Sequence, residues 1–547
     1  MGNTLSYSSV QEHTVDLGQR GKIKGLQYDQ KARRYAGVPY ALPPTGDHRW
    51  RKPRPLPASF SYSTPAAPPF DATAFRPPCA QQNRDLATGR VKDEGDGIRG
   101  VEDCLHVNIW TPVPGPQQDP RRRAEDDAPA PWPIVVWLHG GWFQVGDACL
   151  DAYMDPTELI STGKLNAIFV AVTYRLNIFG FLSSSSSKGL DHDAPGNFGL
   201  WDQRLALEWV RDTMGLFGGD VDNITLAGRS AGAYGVEAQM LHDFRAAGGA
   251  PPLFHRAWMA SNAIPAQPKT LDEAQAQFDE VCAYFHIPPA EQDTLARLRR
   301  VPERDLVSCL SHLKNHTFRP VTDDIFFHSD MGAYIQNGQM AGSFRDRQMK
   351  LLIGEVANEE TLYAQFNGPT EATYESLRLQ VANYYAPSTT DKVLKQYALP
   401  AEANLNAWKE AFGRIIADGQ VRASTRFLID ALWRNGVSVR DIWRYRVDYR
   451  LSFIDDRVAP ADYGVSHAMD GPLWNFSVNQ LPTPEEQIMM SAWIKILVAF
   501  VHNDGTFDLG TTEIDQVKVL TDQKEIIIDK DVRFQQLRDL GELLAKS

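Results

Sequence analysis

Apolar side chains along this chain cluster in two periods, and the alternation between them predicts most of the architecture. Ile134 to Leu138 (IVVWL), Ala167 to Tyr174 (AIFVAVTY), Ile224 to Ala227 (ITLA), Ala257 to Asn262 (AWMASN) and Lys350 to Glu355 (KLLIGE) are short, nearly continuous apolar runs. Runs of that length fit strands covered on both faces. Between them, Asn197 to Asp212 places Leu200, Leu205, Leu207 and Trp209 at helical spacing. A strand, helix, strand, helix sequence builds a parallel sheet with helices on both faces and loops gathered at the carboxyl ends of the strands.

Two segments flank that pattern. Glu102 to Pro112 (EDCLHVNIWTP) alternates through Leu105, Val107 and Ile109, as a half-buried strand would. Tyr35 to Trp50 has the Gly and Pro punctuation of short strands and turns, which predicts a small N-terminal sheet. Further on, Thr483 as N-cap, Pro484 at N1 and Glu486 at N3 open a helix that ends near Asn503-Asp504-Gly505. No linker or repeat divides the chain. The Pro-rich segment Gly115 to Pro131 and the serine run Ser183 to Ser187 read as surface loops, so residues 1–547 are expected to form a single domain.

Composition narrows the function. The net charge of −12 argues against a nucleic-acid partner, and the triple arginine at Arg121 to Arg123 is neutralised at once by Glu125, Asp126 and Asp127. No apolar stretch is long enough for a transmembrane helix, and the N-terminal residues lack the core of a secretory signal, so a cytoplasmic location is expected. Gly2 with Ser6 fits a loose N-myristoylation pattern, which would give only marginal membrane anchoring. Of five cysteines, Cys79 and Cys104 bracket a polar loop and could pair, but in a reducing cytosol they are expected as thiols; none has metal-ligand spacing.

The chemistry centres on Gly228-Arg229-Ser230-Ala231-Gly232, a G-x-S-x-G sequence at the end of a strand and the start of a small-residue helix. That setting makes Ser230 a candidate nucleophile. Upstream, the strand Ile134 to Leu138 runs into His139-Gly140-Gly141-Trp142-Phe143, a loop whose backbone N–H groups could converge on a developing oxyanion. An acid is expected after a later strand, with Glu355, Glu359 and Glu360 as candidates, followed by a histidine. Only His467 and His502, of 13 histidines, lie beyond those acids. His502 ends a helix, where a cation is ordinarily favourable; His467 lies in a Gly-containing loop after the predicted strand DIWRYRV.

These pieces, in order, resemble the type-B carboxylesterase and lipase family, the α/β-hydrolases that include cholinesterases and fungal lipases. The resemblance spans nearly the whole chain through GVPYA, EDCLHVNIWTP, WLHGGWF, VTYRLNIFGFL, NFGLWDQRLALEWV, FGGDVDNITLAGRSAG, NEET and GVSHAMD. It implies hydrolysis of a small-molecule ester without a cofactor, by Ser230, His467 and Glu359, with Gly141, Trp142 and Ala231 donating to the oxyanion. Transfer of the acyl group to an alcohol or amine is the alternative outcome of the same triad, and a non-catalytic binding relative is the rival class. Trp142, Phe143, Arg229 and Trp474 are expected to line the substrate pocket. Three departures from the family stand out. Arg229 replaces a usual glutamate, and should alter which leaving groups are accepted. Trp142 replaces a glycine, and its indole should restrict the acyl group. Cys282 has Arg297 where its partner is expected.

Overall fold

A computed structural model describes residues 7–64, 67–84, 97–114, 130–149, 154–185, 195–246, 251–401, 404–456 and 459–546. Gly2, the triple arginine, most of the Pro-rich segment and the end of the serine run lie outside the described residues. The framework is a 13-stranded sheet. Twelve strands form its continuous path: β1 Val10–Asp16, β2 Lys22–Tyr28, β3 Ala32–Pro39, β4 His106–Pro112, β5 Trp132–Leu138, β6 Ile168–Val172, β7 Gly219–Arg229, β8 Arg256–Ala260, β9 Lys350–Val356, β10 Ile442–Val447, β11 Gln516–Leu520 and β12 Ile526–Lys530. Their spatial order is β1-β2-β3-β4-β6-β5-β7-β8-β9-β10-β11-β12. From β6 to β11 every pairing is parallel, whereas the strands from β1 to β4 and the final β12 join antiparallel.

The five central strands read from apolar runs are all present, and their side chains are buried on both faces as the continuous patterning requires. Two expectations at the N-terminal end are corrected. β4 is buried along its whole length, not half-buried, because β3 and β6 flank it and layers pack over both faces. Residues 32–39 belong to the main sheet. Only Ala41–Leu42 and Arg54–Pro55 form a separate two-stranded sheet there. Alternation in the sequence could not reveal how many layers cover a strand.

Helix α1, Phe198–Thr213, follows the predicted boundaries within a residue. Its Asp202 pairs with Arg175 at 2.7 Å, and both side chains are essentially inaccessible. Helix α2, Ala231–Arg245, leaves the end of β7 and runs back over the sheet. The capping box at Thr483 forms as predicted, and Glu486 also accepts from Ser452 N at 2.7 Å. A helical insertion after β9 carries its own apolar cluster around Tyr363, Phe366, Phe412 and Ile416. Among the described residues no helix is long and apolar enough to cross a membrane.

Cys79 and Cys104 are bonded to each other, which corrects the expectation of free thiols. Beside the bond, Gln81 exchanges two hydrogen bonds of 2.8 Å with Gly146, at the far end of the loop that follows β5. Cys282 and Cys309 are buried and unbonded.

Candidate active site

Ser230 stands at the junction of β7 and α2 with φ 56° and ψ −123°, a conformation ordinarily avoided by residues with a side chain. What holds it is crowding on both sides. A Cβ on Gly228 would stand 2.5 Å from the Gly232 backbone, and one on Gly232 would meet the Leu138 carbonyl at 2.0 Å. The two glycines therefore let α2 start directly against β5 and β7. Ser230 N donates to the Ala260 carbonyl at 2.8 Å, which fixes the turn to β8.

The loop after β5 presses on the same turn. A Cβ on Gly140 would be 2.8 Å from the Arg229 carbonyl and 3.0 Å from Ser230 Cβ. Tyr174 holds the loop's first residue, donating to the His139 carbonyl at 2.7 Å and stacking on its ring at 4.4 Å. Trp142 and Phe143 both adopt positive φ, 59° and 66°. Among the described residues, the N–H groups of Gly141 and Trp142 donate to no backbone carbonyl. Both N–H groups follow directly on Gly140, the residue of this loop that packs on Ser230.

Glu359 begins helix α3, Glu359–Gln365, just past the end of β9. It is wholly buried; Oε1 accepts from Val356 N at 3.0 Å, and Oε2 lies 2.5 Å from His467 Nδ1. His467 is supplied by the loop after β10. That loop is stitched to the acid's loop by Asn358 N to the Val465 carbonyl (3.0 Å), Val465 N to Asn358 Oδ1 (3.0 Å), and Thr361 Oγ1 to Ser466 Oγ (2.8 Å). His467 Nε2 is buried with no hydrogen-bond partner among the described residues.

The remaining acid candidates do other work. Glu355 is paired with Arg426, which also reaches Asp531 at 2.7 Å. Burial opposes its ionisation, yet the Arg426 charge holds its carboxyl below the usual range. Glu360 binds Arg422 at 2.5 Å. His502 caps its helix, with Nε2 2.6 Å from the Leu165 carbonyl.

Three of the four expected pocket residues turn elsewhere. Arg229 lies under the histidine loop, with its guanidinium 2.9 Å from Asp470 Oδ1 and 3.5 Å from the Ala468 carbonyl. Its charge is met there, so the expected effect on leaving groups loses its basis. Trp474 is core: it packs on Tyr445 at 4.8 Å and Trp258 at 5.3 Å, and its Nε1 donates to Asp470 at 2.9 Å. Phe143 is fully buried against Phe181 and Tyr234. Trp142 stacks on Phe366 at 4.5 Å and meets Tyr363 edge-on at 6.5 Å.

Tyr363 and Asp470 were missed in the sequence. Tyr363 lies one turn beyond Glu359, its ring 5.2 Å from that of His467. Burial, followed by the Glu359 charge, pushes its ionisation well above the ordinary tyrosine range, so it stays a neutral donor. The signal for it was the i, i+4 spacing from Glu359. Asp470 follows His467 by three residues, but nothing local marks it as the partner of Arg229.

A sheet of this kind, with a strained serine between β7 and α2 and a histidine–carboxylate pair beyond later strands, defines an α/β-hydrolase fold. The chain belongs to the carboxylesterase family, whose family model matches residues 11–537. It is 35% identical over 522 residues to a Schizosaccharomyces pombe protein described as an uncharacterized esterase/lipase, covering 93% of this chain and 92% of that one. A carboxylic ester hydrolase of Gibberella moniliformis is 33% identical over 520 residues, covering 91% and 90%. An acetylcholinesterase of Bungarus fasciatus is 30% identical over 514 residues, covering 87% and 76%. The protein is an ester-hydrolysing enzyme.

Proposed function

We propose that hydrolysis runs through Ser230 as nucleophile, His467 as general base and acid, and Glu359 as the carboxylate that orients the imidazole. The observation that carries this reading is the state of His467: Nδ1 is bonded to Glu359 at 2.5 Å, while Nε2 is buried with no partner among the described residues. Nε2 takes the Ser230 proton as Oγ attacks the ester carbonyl. The carbonyl oxygen becomes an oxyanion, for which the N–H groups of Gly141, Trp142 and Ala231 are the donors; losing one such donor typically costs about 3 kcal/mol. Protonated His467 then gives its proton to the departing alkoxide. Water, deprotonated by His467, attacks the acyl-enzyme and releases the acid, returning the proton to Ser230.

A fluorophosphonate probe is expected to label Ser230 alone, and Ser230→Ala should abolish labelling and hydrolysis together. An adduct mapped to any other serine refutes the assignment. We read the chain as one domain over residues 1–547. As to location, the Cys79–Cys104 bond favours an oxidising compartment over the cytosol, where such a pair would be kept reduced. Thiol counting on protein from its native source tests that reading.

A further inference from the structure

Next to the catalytic loops lie two cations, Arg319 and Lys269, that form no ion pair among the described residues. Tyr234 is one turn beyond Ser230 on α2, and the Arg319 guanidinium lies 5.7 Å from its ring and 5.3 Å from that of Tyr384. Arg319 donates to Gln420 Oε1 at 2.9 Å; Lys269 Nζ donates to the Ala382 carbonyl at 2.8 Å. Among the described residues neither has a carboxylate within ion-pair distance. Both line one cavity of about 30 Å³, together with Tyr234 and Tyr384. The Tyr384 hydroxyl is buried without a hydrogen-bond partner among the described residues.

Three deeply buried arginines are met by carboxylates, whereas buried Arg256 has, among the described residues, only the Thr225 hydroxyl at 3.2 Å. Arg175 has Asp202, Arg426 has Glu355 and Asp531, and Arg229 has Asp470. Lys269 instead titrates at about 8, held down first by burial and then by the charge of Arg319, with Glu273 opposing. Two like charges sharing a partly buried cavity repel each other, and an anion between them would relieve that cost.

The cavity wall is tied to the loop that follows β5, and its Tyr234 lies one turn beyond Ser230 on α2. Gln144, two residues beyond Trp142, binds the Phe318 backbone in both directions, at 2.5 and 3.0 Å, so Arg319 starts where the Gly141–Val145 turn ends. The Arg319 charge is also among the weaker influences on Tyr363, whose ring lies 5.2 Å from that of His467.

We propose that this cavity is a carboxylate subsite, and that the esters this enzyme cleaves best carry an acid group a few bonds from the scissile carbonyl, seated between Arg319 and Lys269. The inference rests on Ser230 being the nucleophile. The cavity has room for roughly two waters, or one carboxylate, which favours a simple acid group over an aromatic one. Arg319 supplies a planar fork for two oxygens and Lys269 a point charge, so the arginine sets orientation and the lysine adds attraction.

The test uses the full chain and matched esters: monoethyl succinate, glutarate and adipate against ethyl esters of monocarboxylic acids of equal length, and butyryl esters of hydroxy acids against the methyl esters of the same acids. At least one acidic member should exceed its neutral counterpart in kcat/KM by roughly tenfold or more at pH 7, with the ratio falling as salt rises. Arg319→Met should lower that ratio at least as far, and Arg319→Lys should retain part of it. Acidic members that are no faster than neutral ones throughout the wild-type panel overturn the proposal, whether or not any variant folds. So does an Arg319→Met variant that lowers acidic and neutral rates by one common factor. Failure of the nucleophile assignment is distinct, since it appears as hydrolysis that survives Ser230→Ala.

Discussion

Arg229 and Asp470 join the residue before Ser230 to the residue three beyond His467, so the pair bears on the distance between nucleophile and base. Arg229→Met keeps an apolar stem and removes the guanidinium that faces Asp470 Oδ1 at 2.9 Å and the Ala468 carbonyl at 3.5 Å. Asp470 is 1% exposed, and among the described residues its side chain would keep only the Trp474 Nε1 bond of 2.9 Å. An ion left buried without its partner typically costs about 3–5 kcal/mol, so the single variant should lose at least ~3 kcal/mol of stability. Arg229→Met combined with Asp470→Leu removes both charges, and should recover roughly 2 kcal/mol or more relative to the sum of the single losses. Catalysis should not recover with it. Ala468, immediately after His467, holds φ at 71°, and its carbonyl faces Arg229. Once that loop relaxes, a shift of about 1 Å in the imidazole costs on the order of a hundredfold in kcat, with KM changed less. Urea unfolding at all four corners of the cycle, with kcat measured at each, separates the two effects. Additive stabilities together with a double variant of wild-type kcat would refute the argument that the pair positions the base.

Glu359→Gln should lower kcat by orders of magnitude, because the amide cannot stabilise the charged imidazole as the carboxylate 2.5 Å away does. Glu355→Gln should instead lower stability by breaking the pair with Arg426, and equal turnover losses at the two positions would count against Glu359. Trp142→Gly removes an indole stacked on Phe366 at 4.5 Å, and is expected to raise kcat/KM for longer acyl chains relative to acetate by roughly tenfold per well-placed carbon; an unchanged chain-length profile in a folded, active variant would make Trp142 a packing residue only. Glu237 lies buried on α2 with a carboxyl raised to about 8 by burial, although Ile264 N donates to it at 2.6 Å. Folding therefore favours its protonated form; the stability it contributes is complete below the unfolded value near 4.5 and is lost as pH rises to about 8. Glu237→Gln should accordingly remove about 1.4 kcal/mol per pH unit of slope over that window, read as Tm against pH, and an unchanged slope would mean the carboxyl is ionised in the folded protein. Opening the Cys79–Cys104 bond by replacing both residues with serine should cost roughly 3 kcal/mol and lower kcat as well, since Gln81 ties that loop to Gly146.

Much of this protein is readable without coordinates, because the relevant signals are local. Continuous apolar runs mark the central strands, since a strand covered on both faces has no polar side to show. Gly228, Ser230 and Gly232 announce the turn between β7 and α2 because backbone crowding there tolerates little else. Thr483 and Glu486 mark a helix start, since the capping bonds involve only near neighbours. The histidine could be reduced to two residues by chain order alone. Tertiary structure decided what depends on which segments meet. Whether β4 is covered once or twice is a property of its neighbours, and its own alternation misled. Arg229 looked like a pocket residue because it adjoins Ser230, yet its side chain goes where Asp470, 241 positions later, can neutralise it. Trp474 likewise joined a core of aromatic rings drawn from β8 and β10. Glu355, Glu359 and Glu360 are chemically equivalent as letters. Only the packing that gives Arg426 to the first, His467 to the second and Arg422 to the third assigns them different work, because a buried carboxylate's role is set by the charge or donor it faces.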